Sequence, residues 1–276
     1  MKKILVIALV ALLFNACKKD SQPGTPDPDP QPGTNTNPST GKHKLVSKVV
    51  TTQSNGNVIE EYVYNDQNQL IEMHWGGNSP TFIHSDFVLT YNTDGTLKRQ
   101  TRTSQGVDEY RDIEYENGMP TLVTNTRPSN SSYDYKIKLN TGDSKVLGGT
   151  WLYTVDGVDK VNSVITFEYL NENVIKQTTD FGTYKQETTR EFGNKNNPFR
   201  YGGDKLFLSS APFAHKNDIL KLVTITGDKN QTIEYTYTYD EQGYPKTTKT
   251  KSVTTNPGQP PYTYETTSVY TYIDAK

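Results

Sequence analysis

The chain of 276 residues contains one cysteine, three methionines, two tryptophans and four histidines. A lone cysteine excludes an intrachain disulfide, so an exported fold must rest on its own hydrogen bonds and packing. Charge of one sign is also missing. There are 29 Lys and Arg against 31 Asp and Glu, with no basic stripe, which argues against a nucleic-acid partner. Signatures of chemistry are missing as well. His43, His74, His84 and His215 show no metal-ligand spacing, and there is neither a G-x-S-x-G elbow nor a P-loop. His74 and His84 could meet across a hairpin, but ordinary strand histidines explain them as well. The carboxylate pairs Glu60-Glu61, Asp108-Glu109 and Glu114-Glu116 would suit a hydrolase only if two of them converged. We therefore expect no catalytic residues, no metal and no cofactor.

What is present begins with an export signal. Lys2 and Lys3 precede Ile4–Phe14, an uninterrupted apolar run of eleven residues. A bilayer-spanning helix needs about 20, so residues 1–16 read as a signal peptide. The run closes on Leu13-Phe14-Asn15-Ala16-Cys17, which resembles a bacterial lipobox with Cys17 as the acylated residue. Residues 17–41 are rich in Pro, Gly, Asp and Thr and hold no aromatic or branched aliphatic residue. Such a segment cannot bury enough surface to offset the entropy of ordering and reads as a tether. Asp27-Pro28-Asp29-Pro30 lacks the Gly bend and distal Glu of a calcium loop. The chain is thus expected to be lipid-anchored in the bacterial envelope at the outer membrane, on its periplasmic or cell-surface side.

Residues 42–276 form one domain by length. Its organising stretch is Ile233–Ser252, in which Tyr235, Tyr237 and Tyr239 alternate with Glu234, Thr236 and Thr238. That period of two predicts a half-buried strand. Asp240 and Gly243 then supply turn chemistry: a carboxylate for backbone N–H groups and a residue tolerant of positive φ. The unit recurs. Tyr64, Tyr91, Tyr115, Leu139, Tyr169, Phe192 and Tyr239 each precede a predicted Asn/Asp/Gly turn, at intervals of about 23 to 30 residues before a longer last step. A repeated β-hairpin follows.

The segments YVYNDQNQL, LTYNTDGTL and YTYDEQGYP resemble the YD repeats of RHS-like cell-surface proteins. A domain of unknown function in Bacteroidetes lipoproteins is a nearer likeness, since FGNKNNPF (Phe192–Phe199) resembles its "YDDKxNPF" element. The likeness spans roughly Lys44–Ile273 and rests on turns and strands, so it implies architecture and not activity. The Phe192 and Leu139 copies depart from the pattern.

The expected fold class is all-β: an antiparallel meander of hairpins, curled toward a barrel or half-barrel. Apolar residues make up only 32% of the chain, so its 19 tyrosines must supply much of the burial. Between Phe192 and Tyr239 the rhythm breaks. Leu206, Phe207, Leu208, Ala211, Phe213, Ile219 and Leu220 form a short apolar segment, interrupted by Pro212, expected to plug the rolled sheet; a degenerate hairpin is the alternative.

Trp75, beside Gly76-Gly77, and Trp151, after Gly148-Gly149, are read as loop-tip aromatics able to stack on a sugar or grip a partner. Equally, each would serve to cap the aromatic core. The functional expectation is a non-enzymatic envelope lipoprotein that binds a glycan, peptide or envelope protein and contacts the membrane through acylated Cys17. Its alternatives are a purely structural envelope component and a carboxylate-dependent hydrolase.

Overall fold

Alternating residues send one set of side chains inward and the other outward along every strand, and in this chain the sheet they form closes on itself. The computed structural model describes residues 43–78, 82–143, 145–199 and 215–276. The signal segment, Cys17 and the tether lie outside these. The first eight strands are β1 (Lys44–Gln53), β2 (Gly56–Tyr64), β3 (Leu70–Gly77), β4 (Ser85–Tyr91), β5 (Leu97–Ser104), β6 (Val107–Glu116), β7 (Met119–Thr126) and β8 (Tyr135–Gly142). The second eight are β9 (Lys145–Val155), β10 (Val158–Leu170), β11 (Asn173–Asp180), β12 (Lys185–Asn196), β13 (Asn217–Thr226), β14 (Lys229–Tyr239), β15 (Pro245–Thr255) and β16 (Tyr262–Asp274). Each pairs antiparallel with its neighbours in sequence, and β1 pairs with β16. The sheet is therefore a closed barrel, not a half-barrel, and it has no free edge.

All seven repeat anchors fall in even-numbered strands, near the end of the barrel where those strands finish. Two of the predicted turns are drawn to order. Asp240 Oδ1 accepts the backbone N–H groups of Gln242 and Tyr244, both at 2.9 Å, and Asn65 Oδ1 accepts those of Gln67 and Gln69 at 3.0 and 2.9 Å. Gly95 and Gly243 sit at φ +86° and +79°. The Phe192 copy is corrected: Gly193–Asn196 continue β12 instead of turning. Gly193 is there for room, because a Cβ would lie 2.5 Å from the Asp218 carboxylate.

The repeated tyrosines have a shared task. Odd-numbered strands carry a bulge near this same end, at Ser47, Ile71, Leu147, Leu220 and Lys246, where the register skips one residue. A bulge disrupts the ladder and leaves a backbone group needing a partner. In each case the carbonyl just before the bulge accepts a hydroxyl from the following even strand. Tyr64 donates to Val46, Tyr91 to Leu70, Tyr169 to Val146, Tyr237 to Ile219 and Tyr272 to Pro245, at 2.6–2.9 Å. Tyr272 belongs to an eighth copy, YTYID, which sequence reading passed over because no turn follows it.

The same end holds the apolar core. Val46, Val49, Tyr62, Leu70, Leu89, Leu97, Ile113 and Val123 form one buried cluster, with Leu70 and Leu97 wholly covered. Phe199, just beyond β12, packs into this cluster with its ring 5.6 Å from that of Tyr62 on β2. We call this the apolar end. Residues 200–214, with most of the expected plug including Phe207 and Phe213, lie outside the described residues. Its last members, Ile219 and Leu220, are corrected to strand β13.

Candidate functional site

Beyond the apolar core, the inward face changes character. Thr51 and Ser268 share a hydrogen bond at 2.8 Å, as do Thr188 and Thr224 at 3.0 Å. Gln186 Nε2 donates to Thr226, and Gln231 Nε2 to Ser252. Ser85, Ser163, Thr179 and Thr254 are buried on the same lining. Barrels of sixteen to eighteen strands are of the size at which a channel can run through the interior, and here many of the inward side chains are small and polar.

Between the two halves lies a belt of larger polar groups, near mid-strand. On β6, Arg111 donates to Gln100, Asn125 and Glu109 at 3.2–3.4 Å. Arg102 lies 5.8 Å over the Phe87 ring and donates to Ser85. Glu60 on β2 accepts the Tyr62 hydroxyl at 2.9 Å, and burial raises its pKa above the usual carboxylate range. Arg190 on β12 is 7% exposed, donates from Nη2 to Gln177 at 3.2 Å, and has no partner for Nη1 among the described residues. Burial draws its pKa down to about 10. Tyr235 lies next to it electrostatically; burial raises that hydroxyl to about 12, against the pull of Arg190.

Below Arg190, toward the apolar end, His215 is 2% exposed, with its ring 4.9 Å from that of Phe192 and tilted by 55° to it. Burial, then the charge of Arg190, lowers its pKa to about 3. The ring is neutral at ordinary pH. Because Nδ1 accepts the Val174 N–H at 3.4 Å, the proton sits on Nε2.

Both tryptophans lie in strands, not at loop tips. Trp75 is in β3 opposite Glu60, and Trp151 is in β9, opposite Ile137 and 4.7 Å from the Tyr135 ring. Both face the lumen. The neighbouring glycines mark close packing, not turns: a Cβ on Gly148 would lie 2.1 Å from the Ile165 carbonyl, and one on Gly77 2.1 Å from the Phe82 ring. His74 meets Asp86 at 2.7 Å, not His84. No group of three metal-ligating side chains occurs among the described residues. Glu60 and Glu61 point to opposite faces of the wall, as do Asp108 and Glu109, whereas Glu114 and Glu116 share the exposed outer face of β6. Arg190, Gln177 and Arg111 were not singled out from sequence.

The outer wall mixes charged pairs with exposed apolar residues such as Val88, Val164, Leu170, Ile225 and Val269. Lys48–Glu61, Arg99–Asp112, Lys176–Glu187 and Lys136–Asp159 pair across it at 2.6–3.0 Å. In a lipid-facing barrel the outer surface carries an apolar band about 25 Å tall, and a midplane Lys or Arg costs about 2–4 kcal/mol.

No family model and no curated protein matches this chain. Among solved structures, a porin-like protein from Bacteroides uniformis aligns with TM-score 0.58 and 17% identity, over 83% of this chain and 98% of that one. This likeness shares the barrel fold. A porin-like protein from Bacteroides vulgatus aligns with TM-score 0.40 and 7% identity, over 84% and 99% of the two chains.

Proposed function

We propose that this chain is an envelope lipoprotein, held to the membrane by acylated Cys17 and residues 17–41, whose barrel binds a ligand in the polar half of its lumen without catalysing a reaction. The observation that carries the reading is the contrast between wall and lining. The exterior carries paired charges, whereas the inner face gathers Arg190, the Arg111–Glu109 pair, Glu60 and both tryptophans among polar side chains. An ion-paired exterior also favours a barrel tethered beside a membrane over one inserted into it. The porin-like neighbour is in keeping with an envelope setting, and the likeness to YD-repeat surface proteins supports it.

Two measurements test this. Cys17→Ala should release the protein from membranes; a variant that stays membrane-bound would show that the barrel inserts. For the lumen, Trp75 and Trp151 are the only tryptophans, so intrinsic fluorescence of the detergent-solubilised full chain reports on its lining. A screen of glycans and envelope peptides should yield a saturable change. A flat response to every ligand would remove the binding reading.

A further inference from the structure

A guanidinium taken out of water is costly unless an anion and hydrogen bonds replace its hydration. Arg190 is more than nine-tenths buried, yet among the described residues its only hydrogen-bond partner is the neutral Gln177 amide and it takes part in no ion pair. Its side chain projects from β12 into the lumen, on the same face as Thr188 and opposite Leu222 of β13. From there toward the polar end the inward positions of the two strands are Thr188, Gln186, Thr224 and Thr226, all polar and uncharged.

We infer that Arg190 is the anchor of a carboxylate-binding site in the lumen, with Tyr235 beside it as a second hydrogen-bond donor. This inference rests on the lumen-binding reading and names its ligand class. A carboxylate fits better than phosphate for two reasons. One planar guanidinium pairs in a fork with one carboxylate, while a dianion calls for more positive charge. The neighbouring His215 is neutral and adds none. Nη1, which lacks a partner, supplies the second tine of the fork. Acidic sugars and peptide C-termini both carry the required group, and the test separates them.

The full chain is titrated in detergent with trigalacturonate and its methyl ester, and with N-acetyl-trialanine and its C-terminal amide, following tryptophan fluorescence. At least one free acid should bind about 10- to 100-fold more tightly than its neutral counterpart, as loss of a charge-assisted hydrogen-bond pair requires. Whichever acid responds identifies the source. Arg190→Met should abolish that preference while keeping or raising Tm, and Arg190→Lys should weaken binding with Tm near that of the parent. A structural arginine would instead lose stability on truncation. A marked fall in Tm for Arg190→Met would reveal an internal counter-ion and overturn the inference. Equal binding of acid and neutral forms, or undiminished acid binding by Arg190→Met, overturns it while leaving the lumen as a binding site. If neither acid binds, the inference falls, and if neutral glycans and peptides also leave the fluorescence unchanged, the lumen reading falls with it.

Discussion

At one end of the barrel the inward positions include Leu70, Leu97, Val146 and Val174; further along, the same and neighbouring strands present Ser85, Ser104, Ser163 and Thr179. Antiparallel pairing runs through both ends, but the means of cohesion differs. At the apolar end, burial of aliphatic and aromatic side chains combines with tyrosine hydroxyls that satisfy the carbonyls beside bulges. At the polar end, short side chains bond across strands and offer little apolar area. Stability should therefore reside at one end and be available for ligand recognition at the other, a division common where rigid scaffolds carry functional sites.

The largest expected effect sharpens that contrast directly. Leu97→Ala should cost about 2–5 kcal/mol, as core truncations do. Thr224→Ala, which loses only its bond to Thr188, should cost about 0.5–1.5 kcal/mol. Equal shifts in denaturation midpoint would erase the division.

Next comes acid. The pKa of His215 near 3 lies below its unfolded value of about 6.5, so the unfolded chain binds more protons between those values. Stability from this site is fully present above about pH 6.5 and is lost as pH falls toward 3, an effect on the order of a few kcal/mol. Urea unfolding at pH 4 and pH 7 should show a smaller difference for His215→Asn than for the parent. An unchanged slope would mean that the apolar end does not keep this ring neutral.

Gly243→Val comes third. Positive φ there should impose about 1–3 kcal/mol of backbone strain with little clash, since the nearest atom to a Cβ is the Lys195 side chain at 3.6 Å. Unchanged unfolding would show that this turn relaxes freely.

The smallest effect has the opposite sign. Glu60 has a raised pKa, so the folded state binds the extra proton and its contribution declines as pH rises through the carboxylate range. Glu60→Gln keeps an acceptor for Tyr62 and should stabilise the protein at pH 7 by less than about 1 kcal/mol. A loss of stability would mean that the ionised carboxylate has a counter-charge in the belt.

Which parts of this were legible beforehand follows from the physics. Tyr235, Tyr237 and Tyr239 against Glu234, Thr236 and Thr238 leave no doubt about which face is buried, and Asn or Asp followed by Gly marks the turns. The belt was not legible. In Gln186-Glu187-Thr188-Thr189-Arg190-Glu191 both faces are polar, so alternation cannot say that Arg190 points inward. Nor did closure show itself, because β1 and β16 meet from opposite ends of the domain. The glycines beside each tryptophan misled for a local reason: Gly signals a turn and a close backbone approach alike, and only tertiary neighbours separate the two.

Pairing β1 with β16 has a mechanical consequence. Lys44 opens β1 and Asp274 closes β16 at the apolar end, where Ala275 donates to the His43 carbonyl at 2.8 Å and Lys276 to Asn68 at 2.9 Å. Whatever precedes His43 is therefore attached at the filled end, and the polar rim faces away from that attachment. A pull exerted between a captured ligand and the attachment runs along β1. Its hydrogen bonds to β2 and β16 then bear the load together, in shear, instead of opening one after another. The closed sheet makes the first strand, held on both flanks, the point at which tension enters the molecule.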